Sequence, residues 1–360
     1  MHNLKIWNYL SIPWLVFTFT FFIIFFLLAF LVEIDSSYLS KNYLNKLFLN
    51  TVILSFGSAI LSAIIAVPLA ILVTFYKFPG HRFFSWSLSL SIAFPAYVYA
   101  FIYVGIFEYA SPISEYLRNF NITLPQIKNI YGASVIMSMA LFPYIFLLTK
   151  AHLRSVGIKS FKAAKSLGNN NITAIRKVII PSLWPTIIAG MALVVFETIA
   201  DFGGVSTLRI ETFTVGIYDA WFGYQSYFSA TRLAGFLLLF VFLIMFLAKY
   251  FGEKSVHLAS KTAETCERIE TTPIVRIGML IFCSLIFIIV FCIPTSQLIV
   301  WNLITFFWKL SHAVYSSTRG SSVMCTSVLL SGSFQDKRHS HISFIFISRS
   351  IDICFVVWYL

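Results

Sequence analysis

Two carboxylates, Glu197 and Asp201, sit four residues apart at the end of a long apolar run, Val178 to Phe196. One helical turn separates them, so both project from the same face of a helix. Ionisable groups at membrane depth are costly and turn toward a bundle interior or a water-filled path. Three readings stand for this pair. It lines a translocation path or its gate; or Asp201 caps the following turn while Glu197 pairs with Arg209 or Arg232; or the carboxylates ligate a hard metal directly. The last is the weakest, because a conduction path should bind its cargo weakly.

Other chemistries find no support. Asp201-Phe202-Gly203 has the kinase metal triplet, but no HRD loop, glycine-rich loop or VAIK strand accompanies it. No GxxxxGK[ST] loop occurs, so the chain is not expected to hydrolyse ATP itself. No nucleophile–base set or metal motif points to an enzyme. The five cysteines lack CxxC spacing and imply neither a disulfide framework nor a metal site.

A second constellation lies upstream. Lys162-Ala163-Ala164-Lys165-Ser166-Leu167-Gly168 is followed, after nine residues, by Val178-Ile179-Ile180-Pro181. The spacing predicts a short helix with Phe161, Ala164 and Leu167 on one face and Lys162 and Lys165 on another. Gly168 suits the left-handed residue that closes such a helix. Asn171 or Thr173 can cap the next one, which Pro181 would end. The small alanines allow a partner surface to approach the backbone.

These residues must be positioned by elements that cross a bilayer. Of 360 residues, 59% are hydrophobic and 11% charged, with a mean hydropathy of +0.85. Soluble chains carry about 25% charge. Spanning about 30 Å of hydrocarbon takes roughly 20 helical residues. Seven apolar runs qualify: Ile6–Val32, Leu47–Tyr76, Phe83–Phe107, Asn129–Thr149, Val178–Phe196, Leu233–Ala248 and one within Ile277–Trp308. The first reads as an uncleaved anchor. In the fifth, Pro181 and Pro185 place the expected helical start after Leu183. Pro68 is an expected kink, and Pro95, Pro112, Pro125 and Pro143 mark kinks or loops. The fold class is thus all-α, a polytopic transmembrane helical bundle.

The net charge of +12 sits in short loops between these runs, not on a nucleic-acid-binding face. Lys150, Arg154, Lys159, Lys162, Lys165, Arg176 and Lys177 follow the fourth run with no acid among them. Lys249, Lys254, Lys261, Arg268 and Arg276 follow the sixth, and Lys77 and Arg82 the second. The positive-inside rule puts these loops and the N-terminus in the cytoplasm. Lys41 and Lys46 count mildly against that, but three loops outvote one.

The Ala163-Ala164…Gly168…Pro181 spacing resembles the EAA loop of binding-protein-dependent ABC importer permeases, which reads Glu-Ala-Ala, three residues, Gly, nine residues, Ile-x-Leu-Pro. Val178 and Ile180 are conservative replacements, whereas Lys162 stands where the family has glutamate. A second stretch is similar to the ferric iron(III) branch of that family, E-x-x-x-D-F-G and then T-F-T-x-x-I-Y-x-x-W-F-G. Here it runs through Glu197, Asp201, Phe202 and Gly203, then Thr212, Phe213, Thr214 and Tyr218.

The resemblance implies a bundle of the type I importer kind in the inner membrane. It implies a first EAA helix that docks on a cytoplasmic ABC ATPase subunit, and a path or gate containing that second stretch. The expected partners are that ATPase, which binds the ATP, a periplasmic iron-binding protein, a second permease unit or copy, and the lipid bilayer. No cofactor is expected in this chain, and no nucleic acid. Thiamine, polyamine and sulfate importers share the EAA loop and are the alternative substrates. A secondary transporter without an ATPase is a further alternative, against which the EAA spacing argues.

The reading divides the chain into a first unit at 1–250 with its EAA loop at 151–182, a cytoplasmic linker at 251–276, the start of a second unit at 277–315, and an atypical tail at 316–360. Iron-type permeases carry two such units, and no second EAA spacing follows here. Between Ser311 and Ser350, 12 of 40 residues are serine. Decay or a shift of the reading frame near Ser317 to Gly320 is the expectation, and a truncated inactive product the accompanying alternative. DNA just downstream should then encode, in another frame, a second half with its own EAA loop. Sequencing the locus checks this, and its absence from every frame would end the expectation.

Overall fold

The computed structural model describes residues 40–252 and 268–326, together with Phe17, Thr20, Phe22, Ile23, Ile24, Phe26 and Leu27. The expected first span and the tail beyond Thr326 therefore fall largely or wholly outside the described residues. The fold is 83% helical, with no strand among the described residues. The chain divides into two compact units, Met1–Ile299 and Val300–Leu360.

Five helical stretches are long and apolar enough to cross a membrane: Lys41–Phe75, Ile130–Ser155, Asn171–Ala200, Tyr227–Tyr250 and Pro273–Lys309. A sixth candidate is a broken one, His81–Ala93 followed by Ala96–Arg118, bent by 90°. The second to seventh apolar runs thus correspond to these six, with two corrections. The third run is not one rod, because Pro95 cannot donate to the preceding turn and the chain turns at Phe94-Pro95. The fifth does not begin after Leu183; it is helical from Asn171.

The core forms where α1 (Lys41–Phe75) crosses α5 (Ile130–His152). Ser58, Ser62, Ala66 and Ala70 recur every four residues along α1 and are all buried. Lipid tails offer no hydrophobic drive between helices, so close approach along small residues holds them together. Ser62 donates to the Ser138 carbonyl at 3.3 Å across this seam. Against both helices packs α8 (Ile180–Ala200), whose Gly190 lets the Ile145 backbone come near.

Between α1 and α5 in sequence come the broken span, formed by α2 (His81–Ser87), a 3-10 turn (Leu90–Ala93) and α3 (Ala96–Phe107), and then α4 (Pro112–Arg118). After α5 come α6 (Ile158–Ser166) and α7 (Asn171–Ala174), and after α8 come α9 (Gly203–Thr207), α10 (Phe213–Tyr218) and α11 (Tyr227–Gly252). Next are α12 (Pro273–Phe287) and α13 (Ile293–Thr326), joined by a wide π-type turn, Ile288–Cys292. Such a turn leaves carbonyls without their usual helical partners. Two buried phenols take them up: Tyr99 donates to Val290 O at 2.8 Å and Tyr103 to Ile289 O at 2.5 Å.

At the other side of that span, the stretch before α12 is stitched to the end of α1. Ile269 N–H donates to Phe75 O at 2.8 Å and Lys77 N–H to Ile269 O at 3.1 Å. The exposed pair Lys77–Glu270 at 2.7 Å adds to this and holds the Glu270 carboxyl below its ordinary range. In the second unit, Leu303, Ile304, Phe306, Phe307 and Trp308 are exposed along α13.

The α5–α8 crossing is tight enough to test. A Cβ on Gly190 would meet Ile145 Cγ1 at 3.1 Å and Ile145 Cα at 3.2 Å. Gly190→Val should therefore destabilise the chain by about 1–3 kcal/mol through overpacking. A thermal unfolding midpoint in detergent equal to the parent's would contradict it.

Candidate functional site

The loop after α5 opens on a wide turn, Leu153–Gly157, in which Leu153 is fully buried. It leads into α6, which lays Phe161 and Ala164 against the bundle. The rings of Phe161 and Phe75 lie 5.0 Å apart, so the loop packs at the C-terminal end of α1. Lys162, Ala163 and Lys165 occupy the exposed face.

Leu167 departs from expectation: it is 83% exposed. The helix stops at Ser166, and Leu167, at φ −83° and ψ 11°, no longer follows the helical face. Gly168 closes the helix at φ +82°, as expected. Its N–H donates to Lys165 O at 2.9 Å and that of Asn169 to Ala164 O at 3.2 Å, the two bonds of a Schellman end.

The cap of α7 is Asn170, whose side chain accepts from Asn171 N–H at 2.7 Å, rather than Asn171 or Thr173. Pro181 does not end a helix. It lies inside the continuous helical stretch Asn171–Ala200, just after a second wide turn at Ile175–Ile179 that takes up the proline's missing N–H.

The carboxylates lie toward the opposite end of α8. Asp201 is its C-terminal cap, and its backbone N–H donates to Glu197 O at 3.0 Å. The Asp201 side chain accepts from Gly204 N–H at 3.1 Å and so caps α9. Glu197 lines the same cavity as Tyr144 of α5 and, among the described residues, is in no ion pair with Arg209 or Arg232.

Glu197 and Asp201 line a cavity of about 280 Å³. Its other walls are the bend of the broken span (Phe94, Pro95, Tyr97) and α5 (Leu141, Tyr144). No lysine or arginine among the described residues lines it. Gly203 and Gly204 make this closeness feasible: a Cβ on Gly203 would meet Tyr97 Cβ at 2.9 Å, and one on Gly204 would meet Asp201 Oδ2 at 2.4 Å. Just past the end of the span, burial pushes the Asp201 carboxyl above its ordinary value; the Gly204 amide pulls it back and Glu197 adds to the rise.

Phe202 and Tyr218 belong to a neighbouring cavity of about 350 Å³ with Arg209, Glu211 and Asp219. Tyr218 packs between Phe202, at 4.7 Å, and Phe222, at 4.9 Å. Thr212, Phe213 and Thr214 line neither cavity. Thr212 and Thr214 bond to each other at 2.9 Å, and Phe213 N–H donates to Thr51 Oγ1 of α1 at 3.1 Å. Lys46–Glu211, at 2.8 Å, fastens the same stretch to α1.

Tyr97 and Tyr144 were not singled out from the sequence. The only signal for Tyr97 was its place two residues after Pro95, and Tyr144 had none. A larger cavity, about 390 Å³, lies by α4, but its charges are already engaged. Lys128 pairs with Glu108 at 3.2 Å, and Arg118 stacks over Tyr109 at 3.8 Å.

Residues 66–256, which hold the loop and both carboxylates, match the family described as "Binding-protein-dependent transport system inner membrane component". The chain belongs to this family. Its members are transmembrane components, so this is a multi-pass inner-membrane protein.

Among relatives, the chain is 26% identical over 155 residues to the sulfate transport system permease protein CysT of Salmonella typhimurium, covering 43% of this chain and 55% of that protein. It is 24% identical over 237 residues to the Fe(3+)-transport system permease protein FbpB 2 of Haemophilus influenzae, covering 65% of this chain and 44% of that one. The chain spans about half the length of these relatives. A solved bacterial alginate ABC transporter, in complex with an alginate pentasaccharide-bound periplasmic protein, shares the fold at a TM-score of 0.51 and 16% identity over 71% of this chain and 99% of that one. Sulfate and iron relatives both occur, so the resemblance to the ferric branch is not singled out.

The raised Asp201 carboxyl carries a sign. Stability from this group is present in full below its unfolded value of 3.8 and is lost as pH rises through the raised value. Asp201→Asn keeps an acceptor for Gly204 and removes the charge. It should unfold at a higher temperature than the parent at neutral pH and lose that advantage below the unfolded value. Thermal melts across pH check this, and a lower midpoint at neutral pH would contradict it.

Proposed function

We propose that this chain is the membrane-spanning permease unit of an ATP-driven importer and that its cargo is ferric iron delivered by a periplasmic binding protein. One observation carries the choice of cargo. The cavity between the broken span, α5 and α8 presents two carboxylates and two phenols and no basic side chain. Fields inside low-dielectric walls are strong, so such a chamber attracts a hard cation and repels a dianion such as sulfate. The chemistry of the lining therefore favours the iron-type relative over the sulfate-type one.

In this reading Lys162, Ala163, Ala164, Gly168 and Pro181 form the coupling loop, and a separate cytoplasmic ATPase binds the ATP. A second permease unit or copy completes the assembly, and the N-terminus is cytoplasmic. ATP-driven closure of the ATPase subunits draws the coupling loops together and opens the periplasmic gate. Glu197, Asp201, Phe202, Gly203 and Tyr218 serve the path or gate. Thr212, Phe213 and Thr214 brace it on α1. Residues 1–250 form the first unit, 251–276 a linker, and 277–315 the opening of a second, with 316–360 as an atypical tail.

Sulfate is the second reading, and similarity to the sulfate permease supports it. Uptake of radiolabelled ferric iron and of radiolabelled sulfate, measured in cells carrying the chain with its neighbouring genes, separates the two. Glu197→Gln should lower iron uptake by about tenfold, the effect of roughly 1.4 kcal/mol on a barrier. Sulfate uptake dependent on the chain, with iron untouched, would overturn the proposal.

A further inference from the structure

The wide turn Leu153–Gly157, where α5 gives way to the coupling loop, carries Arg154 on its exposed side. Its guanidinium donates to Ser85 Oγ at 3.2 Å, and Lys150, one turn earlier on α5, donates to the Ser85 carbonyl. Ser85 belongs to α2, the first leg of the broken span. The coupling loop itself packs on the bundle through Leu153, Phe161 and Ala164, all buried.

Seven residues beyond Ser85 stands Ile92, and with it Phe94, Pro95, Ala96 and Tyr97, which together supply five of the eleven residues lining the carboxylate cavity. The far leg of the same span is held from another side, by the Tyr99 and Tyr103 hydroxyls on the turn Ile288–Cys292. The broken span is thus gripped at one end by residues beside the coupling loop and latched at the other. Its bend, where the chain is 3-10 and then interrupted by Pro95, forms the cavity wall. π-type turns recur at functional sites in helices. Here one lies at each end of the coupling loop, Leu153–Gly157 and Ile175–Ile179.

We infer that Arg154 is a positioning residue, which carries movement of the coupling loop through Ser85 to the Ile92–Tyr97 wall of the carboxylate cavity. The turn Leu153–Gly157 is the pivot, and the grip on Ser85 turns with it. This inference rests on the coupling-loop and cavity reading proposed above, but it makes a claim about this chain alone.

The test uses the full chain in membranes with Ile92→Cys as a reporter, labelled by a small cationic thiol reagent. Reading the labelled peptide by mass spectrometry leaves the five native cysteines in place. Arg154→Ala and Ser85→Ala should each shift the labelling rate by about threefold to tenfold, as loss of one charge-assisted hydrogen bond shifts an equilibrium. Together they should shift it no further than either alone, because they remove the same contact. Arg154→Lys, which keeps a cationic donor, should fall nearer the parent. A second reporter, Ile122→Cys, is exposed away from the coupling loop and the carboxylate cavity and should label at the parent rate throughout.

An unchanged rate at Ile92→Cys would overturn the inference. So would additive effects of the two substitutions, or an equal shift at Ile122→Cys, since either would report general loosening. The measurement needs neither cargo nor ATPase. A failure of iron uptake would remove the proposed substrate and leave this result standing, and the reverse also holds.

Discussion

Every peptide N–H and C=O that enters hydrocarbon must find its partner within the protein, because no water is there to serve. The rest of this structure depends on that constraint. A regular helix meets it unaided, and α1 does so over most of its 35 residues, although Pro68 inside it offers no N–H to the Ile64 carbonyl. The departures from regular helix are therefore the informative places, and two of them are answered by specific side-chain donors. At the turn Ile288–Cys292 the answer is two tyrosine hydroxyls; beside the 3-10 turn, Tyr99 also reaches Ser91 O at 3.4 Å.

The same constraint explains why the carboxylates sit where they do. Asp201 lies at the end of α8, where the chain leaves the helix and the first amides of α9 lack partners. Its side chain satisfies Gly204, and Gly203 and Gly204 leave room for Tyr97 and Met137 to close in. One residue thus caps a helix and lines a cavity. The two roles weighed for it from the sequence are therefore compatible: the cap fixes the direction in which the charge points.

Much of the architecture was legible in the sequence because apolar run length is a strong signal, and six of the seven runs reappear as spans or a broken span among the described residues. The misreadings share a cause. Leu167 was placed on one face with Phe161 and Ala164 by extending the helical period past the point where Gly168 ends it. Pro181 was taken as a terminator because prolines often are, yet the wide turn just before it lets the helix run on through it. The Tyr97 and Tyr144 walls were illegible, since which side of α3 and α5 faces α8 is set by tertiary packing. Glu197 shares its cavity with phenols rather than with an arginine for the same reason.

The latch on Ile288–Cys292 has a consequence for how the protein is made. Tyr99 and its acceptor are separated by 191 residues, Tyr103 and its acceptor by 186. Throughout synthesis of that interval, the two hydroxyls lack their acceptors on the turn Ile288–Cys292, and Tyr99 has only Ser91 O within reach. The first unit is therefore a nascent chain that stays unfinished until the ribosome has delivered a segment well beyond α11, and its maturation is tied to the rate at which that late span is inserted.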